Sequence, residues 1–178
     1  MSILVPLAVP MASVLAFAMT AVFVDGWRPM RDVSGALSDG EKREIASSVA
    51  TLNQVYQDFF ASGGRPDQIN ACPATASVKH FIFRDLGFLR NNGLALVQDL
   101  AEAHVVDVRR SGADVELVQY ETWNYVYQRL SDRQPVSQLS GLGQGFRYTL
   151  RRQDGRWTVV AWDLDEVPEP DGIGEVAW

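Results

Sequence analysis

Phe146-Arg147-Tyr148-Thr149-Leu150-Arg151-Arg152-Gln153-Asp154-Gly155-Arg156-Trp157-Thr158-Val159-Val160 is the stretch that decides the fold. Phe146, Tyr148 and Leu150 alternate with Arg147, Thr149 and Arg151, the period-two pattern of a strand with one buried face. Asp154-Gly155 is a hairpin signal, because both central residues of that tight turn need a positive φ. Trp157 to Leu164 is then the returning strand, with Val159, Val160 and Trp162 making both of its faces apolar. The chain therefore closes on an antiparallel hairpin.

Upstream, Val115 to Gln128 is rich in Val, Tyr, Trp and Thr and reads as a long strand. His104 to Arg110 alternates around Val106 and Val108, and Ser111-Gly112-Ala113-Asp114 turns it into that long strand. Arg129 to Gly145 holds Pro135 and three glycines and is expected to be a mobile connection. Before the strands the period changes. Ile45, Val49, Leu52, Val55, Tyr56, Phe59 and Phe60 recur at helical spacing, with Ser38 or Asp39 as cap and Glu41 and Glu44 in the first turn. That helix ends at Ser62-Gly63-Gly64. Asp67 to Thr75 is expected as a loop, and Ser77 to Asn91 as a second helix with Val78, Phe81, Ile82, Leu86 and Leu89 on one face. Helices followed by an antiparallel sheet make an α+β domain.

Ile3 to Val24 carries no charge. At 1.5 Å per residue it spans about 33 Å as a helix, enough for a bilayer core of about 30 Å. Pro6 fits a first turn, and Pro10 bends the helix beyond it. Trp27, Arg28 and Arg31 come next, as the interface favours. A cleaved signal peptide would call for a basic start and a shorter apolar core, and neither is present. The expectation is a single-pass anchor over 1–30, an α+β domain over 31–165 and an extended acidic tail over 166–178. Arg28 and Arg31 lean towards a cytoplasmic domain, with the extracytoplasmic side kept open.

Composition narrows the function. The net charge is -6 and lysine occurs only at Lys42 and Lys79, so no nucleic-acid surface is expected. One cysteine, Cys72, cannot form an internal disulfide, and with two histidines a metal site is not expected. Gly141-Leu142-Gly143-Gln144-Gly145 precedes a strand instead of opening a helix, so it is not a phosphate loop. No cofactor is expected.

The helices, then Tyr148-Thr149-Leu150, Asp154-Gly155-Arg156-Trp157 and Val159-Val160, resemble the nuclear transport factor 2-like, or cystatin-like cone, superfamily. The resemblance covers Glu41 to Asp165. The stretch Val115 to Trp162, with Tyr120, Glu121 and Trp123, is also similar to the C-terminal domain of plastid-division-type membrane proteins. It implies a cone of helices and curved sheet, which the enzymes of the superfamily use as a pocket with an acidic or histidine base. The eligible groups here are His80, Asp85, His104, Glu121, Tyr125 and Asp163, and no two of them have a diagnostic spacing.

Trp123, Tyr125 and Tyr127 share one strand face. They either pack against the first helix or, with Trp27 and the terminal Trp178, serve as partner-binding aromatics. With no catalytic signature, the expected function is a non-catalytic accessory or scaffolding subunit of a membrane complex of secretion, respiratory or photosynthetic type. Its partners would be other subunits and the lipid bilayer, with a homodimer as a further option. The alternative is a membrane-tethered small-molecule-binding or enzymatic cone domain.

Overall fold

The computed structural model describes residues 37–167. The expected anchor, Ile3 to Val24, lies outside them, as do Trp27 and Trp178. Among the described residues no helix is long and apolar enough to cross a membrane.

Helix α1, Asp39–Ala61, starts on a capping box. Ser38 Oγ accepts from the Glu41 amide at 3.2 Å, and the Ser38 amide donates back to Glu41 Oε2 at 3.0 Å. Two otherwise orphaned donors are thereby satisfied. Its buried stripe is Ile45, Val49, Leu52, Asn53, Phe59 and Phe60. The stretch expected as a loop instead contains a short helix, α2, Pro66–Asn70. Pro66 opens it, where the missing N–H costs nothing. Helix α3, Ala76–Asn91, buries Val78, Phe81, Ile82, Leu86 and Leu89.

Four strands follow: β1 Leu94–Ser111, β2 Asp114–Arg129, β3 Pro135–Gln153 and β4 Arg156–Asp165. All neighbours are antiparallel, in the order β1-β2-β3-β4. The hairpin of the opening stretch forms as read, with Gln153 opposite Arg156 and positive φ at Asp154 and Gly155. The helices cover the concave face of this curved sheet. The core gathers Leu52, Phe59, Phe60 and Ile82 from the helices with Leu117, Leu150, Trp157 and Val159 from the strands.

Two expectations need correction. Strand β1 begins at Leu94, ten residues before the alternation at His104. Register shifts between Leu100 and Glu102 and between Val105 and Asp107 break the parity, so the strand keeps no single alternation: Val106 is exposed while Val108 packs against the core. The supposed mobile connection is largely strand. The chain turns tightly, with the Arg129 amide donating to the Gln134 carbonyl at 2.9 Å, and β3 starts at Pro135. From there it pairs with β2 through Leu139 opposite Tyr125 and Leu142 opposite Trp123. Ladder pairing overrides a composition that reads as loop. Two of the three glycines there have packing reasons. The Tyr120 ring lies where a side chain at Gly143 would stand. At Gly145 a β-carbon would lie 2.5 Å from the Asp165 carbonyl oxygen and 2.6 Å from Val167 Cβ.

Gly145→Ala should therefore cost about 1–3 kcal/mol through overpacking against backbone. Gly87→Ala, in α3 with nothing near its would-be β-carbon, should stabilise by about 0.5–1 kcal/mol. Urea unfolding of the two variants checks both signs.

Candidate functional site

The odd-numbered residues of the middle of β2 face the concave interior, and three of them form one chain of hydrogen bonds. Glu121 is fully buried, at 0% exposure. Its Oε1 accepts from Gln119 Nε2 at 2.9 Å, from Asn53 Nδ2 of α1 at 2.8 Å and from the Tyr148 hydroxyl of β3 at 2.6 Å. Its Oε2 accepts from Trp123 Nε1 at 2.7 Å. Four donors from three elements thus converge on the carboxyl, three on Oε1 and one on Oε2. Burial pushes the Glu121 pKa up, opposed by the hydrogen bonds from Tyr148, Asn53, Trp123 and Gln119. Burial likewise pushes the Tyr148 hydroxyl well above its usual range, with the Glu121 charge acting in the same direction.

Beside this network lies a cluster of rings. Tyr56 of α1 meets Trp162 edge-on at 5.7 Å between centroids and Trp123 at 6.4 Å. Trp123 stacks on Tyr125 at 6.0 Å, and Trp162 meets Phe81 at 5.9 Å. Edge-on and offset pairs of this kind add stability beyond the area they bury. Trp123 and Tyr127 are buried and Tyr125 is half-buried, so the aromatic stripe read from the sequence is turned towards the helices. Opposite Tyr125 on β1 stands Gln98. It is 5% exposed, and neither its Nε2 nor its Oε1 has a hydrogen-bond partner.

The remaining sequence candidates do not converge. His104 pairs with Tyr120 in the β1–β2 ladder and so lies on the convex face, 3.4 Å from Glu102 Oε2. Asp163 pairs with Arg147 on that same outer face. His80 is exposed on α3, whereas Asp85, five residues on, is half-buried. Burial raises the Asp85 carboxyl to about 6, with Arg84 Nη2 at 3.9 Å pulling the other way. Among the described residues no group of three or more His, Cys, Asp or Glu could hold a metal ion.

Sequence reasoning singled out Glu121, Trp123 and Tyr125 but missed Asn53, Gln119, Tyr148 as a donor, and Gln98. A signal was present. Asn53 interrupts the buried stripe of α1, and Gln119 and Glu121 put two polar groups on the inner face of a strand otherwise rich in apolar and aromatic residues.

The fold is shared with solved structures. The intermembrane space region of the chloroplast protein ARC6 matches with a TM-score of 0.55 and 13% identity, over 72% of this chain and 98% of that one. A protein with a cystatin-like fold from Nostoc punctiforme matches at 0.41 and 11%, over 75% and 96%. A putative dehydratase of the NTF2-like family from Streptomyces avermitilis matches at 0.41 and 12%, over 72% and 99%. No family model and no curated protein matches the chain. The domain shares its fold with the ARC6 region, and structures that bear the NTF2-like and cystatin-like names are similar to it, in line with what its hairpin and tryptophan strand led one to expect.

Glu121→Ala should destabilise the domain by at least about 3 kcal/mol, since buried donors left unpaired cost about 1–3 kcal/mol each. Denaturant titration measures this. Asp85 gives a pH signature. Its folded pKa lies above the ordinary 3.8, so the stability it contributes is complete below pH 3.8 and is lost as pH rises through about 6. Asp85→Asn should accordingly gain in melting temperature over the parent above pH 6 and lose that gain below pH 3.8. Thermal melts across that range check it.

Proposed function

We propose that this protein is a non-catalytic accessory or scaffolding subunit of a multi-protein membrane assembly of secretion, respiratory or photosynthetic type. The observation that supports it most is the sealed carboxylate. A general base must reach a substrate proton, within hydrogen-bond distance or through one water. Glu121, the acid inside the cone, is fully buried and already accepts four hydrogen bonds. Its chemistry goes into joining α1 to β2 and β3. The interior is then a core, and the protein's work falls to its outer surfaces, its N-terminal segment and its acidic tail. A domain of the same fold in ARC6 belongs to a region between two membranes, a setting consistent with this reading.

One observation favours the alternative of a membrane-tethered domain that binds a small molecule. The amide of Gln98 is buried without a partner, and such groups normally find one. A ligand entering beside Tyr125 would supply it.

One preparation tests both. The full chain, purified from its native membranes in mild detergent, should co-elute with stoichiometric protein partners. A monodisperse lone chain would overturn the scaffold reading. A stoichiometric small molecule released on denaturation, and identified by mass spectrometry, would favour the alternative.

A further inference from the structure

The chain carries a net charge of -6, yet residues 63–93 hold Arg65, Lys79, Arg84 and Arg90 against only Asp67 and Asp85. Asp67 is tied to Arg65 at 2.7 Å, and Asp85 lies half-buried on the inner side of α3, where Arg84 Nη2 approaches it at 3.9 Å and the guanidinium lies over the Phe81 ring. At 3.6 residues per turn, His80, Phe83, Arg84, Gly87, Phe88 and Arg90 fall on the outer half of α3. That half carries no carboxylate. Phe83 and Phe88 are each 38% exposed. They stand about 140° apart around the helix axis, with Gly87 between them and nothing near its would-be β-carbon.

We propose that this face of α3 rests on the anionic surface of a lipid bilayer. Two partly exposed rings, Phe83 edge-on to Phe59 at 4.9 Å, flank Gly87 with cations beside them. This suits a planar, negatively charged surface with an apolar layer beneath it. A protein hot spot would instead seat a ring in a matching pocket. Charge complementarity points the same way, since α3 is the described helix whose outer face is basic in an acidic chain. The attraction of a few cations and two partly exposed rings is too weak to hold a free protein. Beside a bilayer to which the chain is already tethered it is enough, because a second weak contact then acts at high effective concentration. The inference shares with the proposed function the premise of a membrane tether.

The test uses the full chain in two kinds of vesicle, phosphatidylcholine alone and phosphatidylcholine mixed with phosphatidylglycerol. His80→Cys carries an environment-sensitive dye. Cys72 is buried with its thiol raised to about 11, so it does not compete for the label. Gln138→Cys, on β3, is the water-facing control. In the mixed vesicles the dye at position 80 should become several-fold less accessible to aqueous iodide and should be quenched by nitroxide lipids. Both effects should disappear in phosphatidylcholine alone, at 1 M salt, where screening shortens to about 3 Å, and in the Arg84→Gln/Arg90→Gln variant with unchanged circular dichroism. Chain that floats with the vesicles while the dye stays in water would overturn the docking and leave the tether standing. Chain that floats with neither vesicle would overturn both. Protection seen in the native detergent-purified complex but not in mixed vesicles would assign the face to a protein and overturn the lipid reading.

Discussion

The packing of the first helix on the sheet depends on one buried carboxyl group, that of Glu121. The Glu121 carboxylate lies out of reach of water, with no cation bonded to it among the described residues. Burying such a group is costly unless its acceptors are filled. Four donors fill them, and each donor constrains the element that carries it. Asn53 fixes the rotation of α1, Gln119 and Trp123 fix the face of β2, and Tyr148 fixes the position of β3 beneath it. A change in helix docking would leave the Asn53 amide unpaired beside the buried carboxyl. The network therefore selects one packing of helix on sheet, where apolar contacts alone would tolerate several.

The rest of the interior is set by that choice. With α1 held over β2, Tyr56 sits between Trp123 and Trp162, and Trp162 reaches Phe81 of α3. Leu117, Tyr148 and Leu150 of the strands join the same core. The concave side of the sheet is thus lined with packed side chains. The polar groups that the sequence offered as chemistry are parted by the pleat. Glu121 faces inward, and His104 and Asp163 face outward.

Much of this was legible in the chain. The hairpin at Asp154-Gly155, the capped helix from Ser38 and the apolar face of α3 need only local rules: turn residues, capping oxygens and periodicity. Two stretches misled. Leu94 to Ala103 hides a strand because a bulge changes its parity, and parity is all that a sequence reading has. Gln134 to Gly145 looks like linker because glycine and proline are usually punctuation. Here Gly143 and Gly145 make room for Tyr120, Val167 and a returning backbone, which no local reading can see. Glu121 was noticed as an acid, but its partners come from positions 53, 119, 123 and 148, and nothing in the order of residues says that they meet.

The closing hairpin shows where the division lies. By itself, the sequence determined that Phe146 to Val160 is a two-stranded turn and that helices precede a sheet, because side-chain alternation and turn conformation are properties of neighbouring residues. Only the tertiary structure decided that Tyr148, the central aromatic of that hairpin, would direct its hydroxyl to a carboxylate 27 residues away. Only there did the aromatic stripe of β2 turn inward against the helices. Burial and hydrogen-bond satisfaction depend on which distant groups are brought together, and chain order does not contain that information.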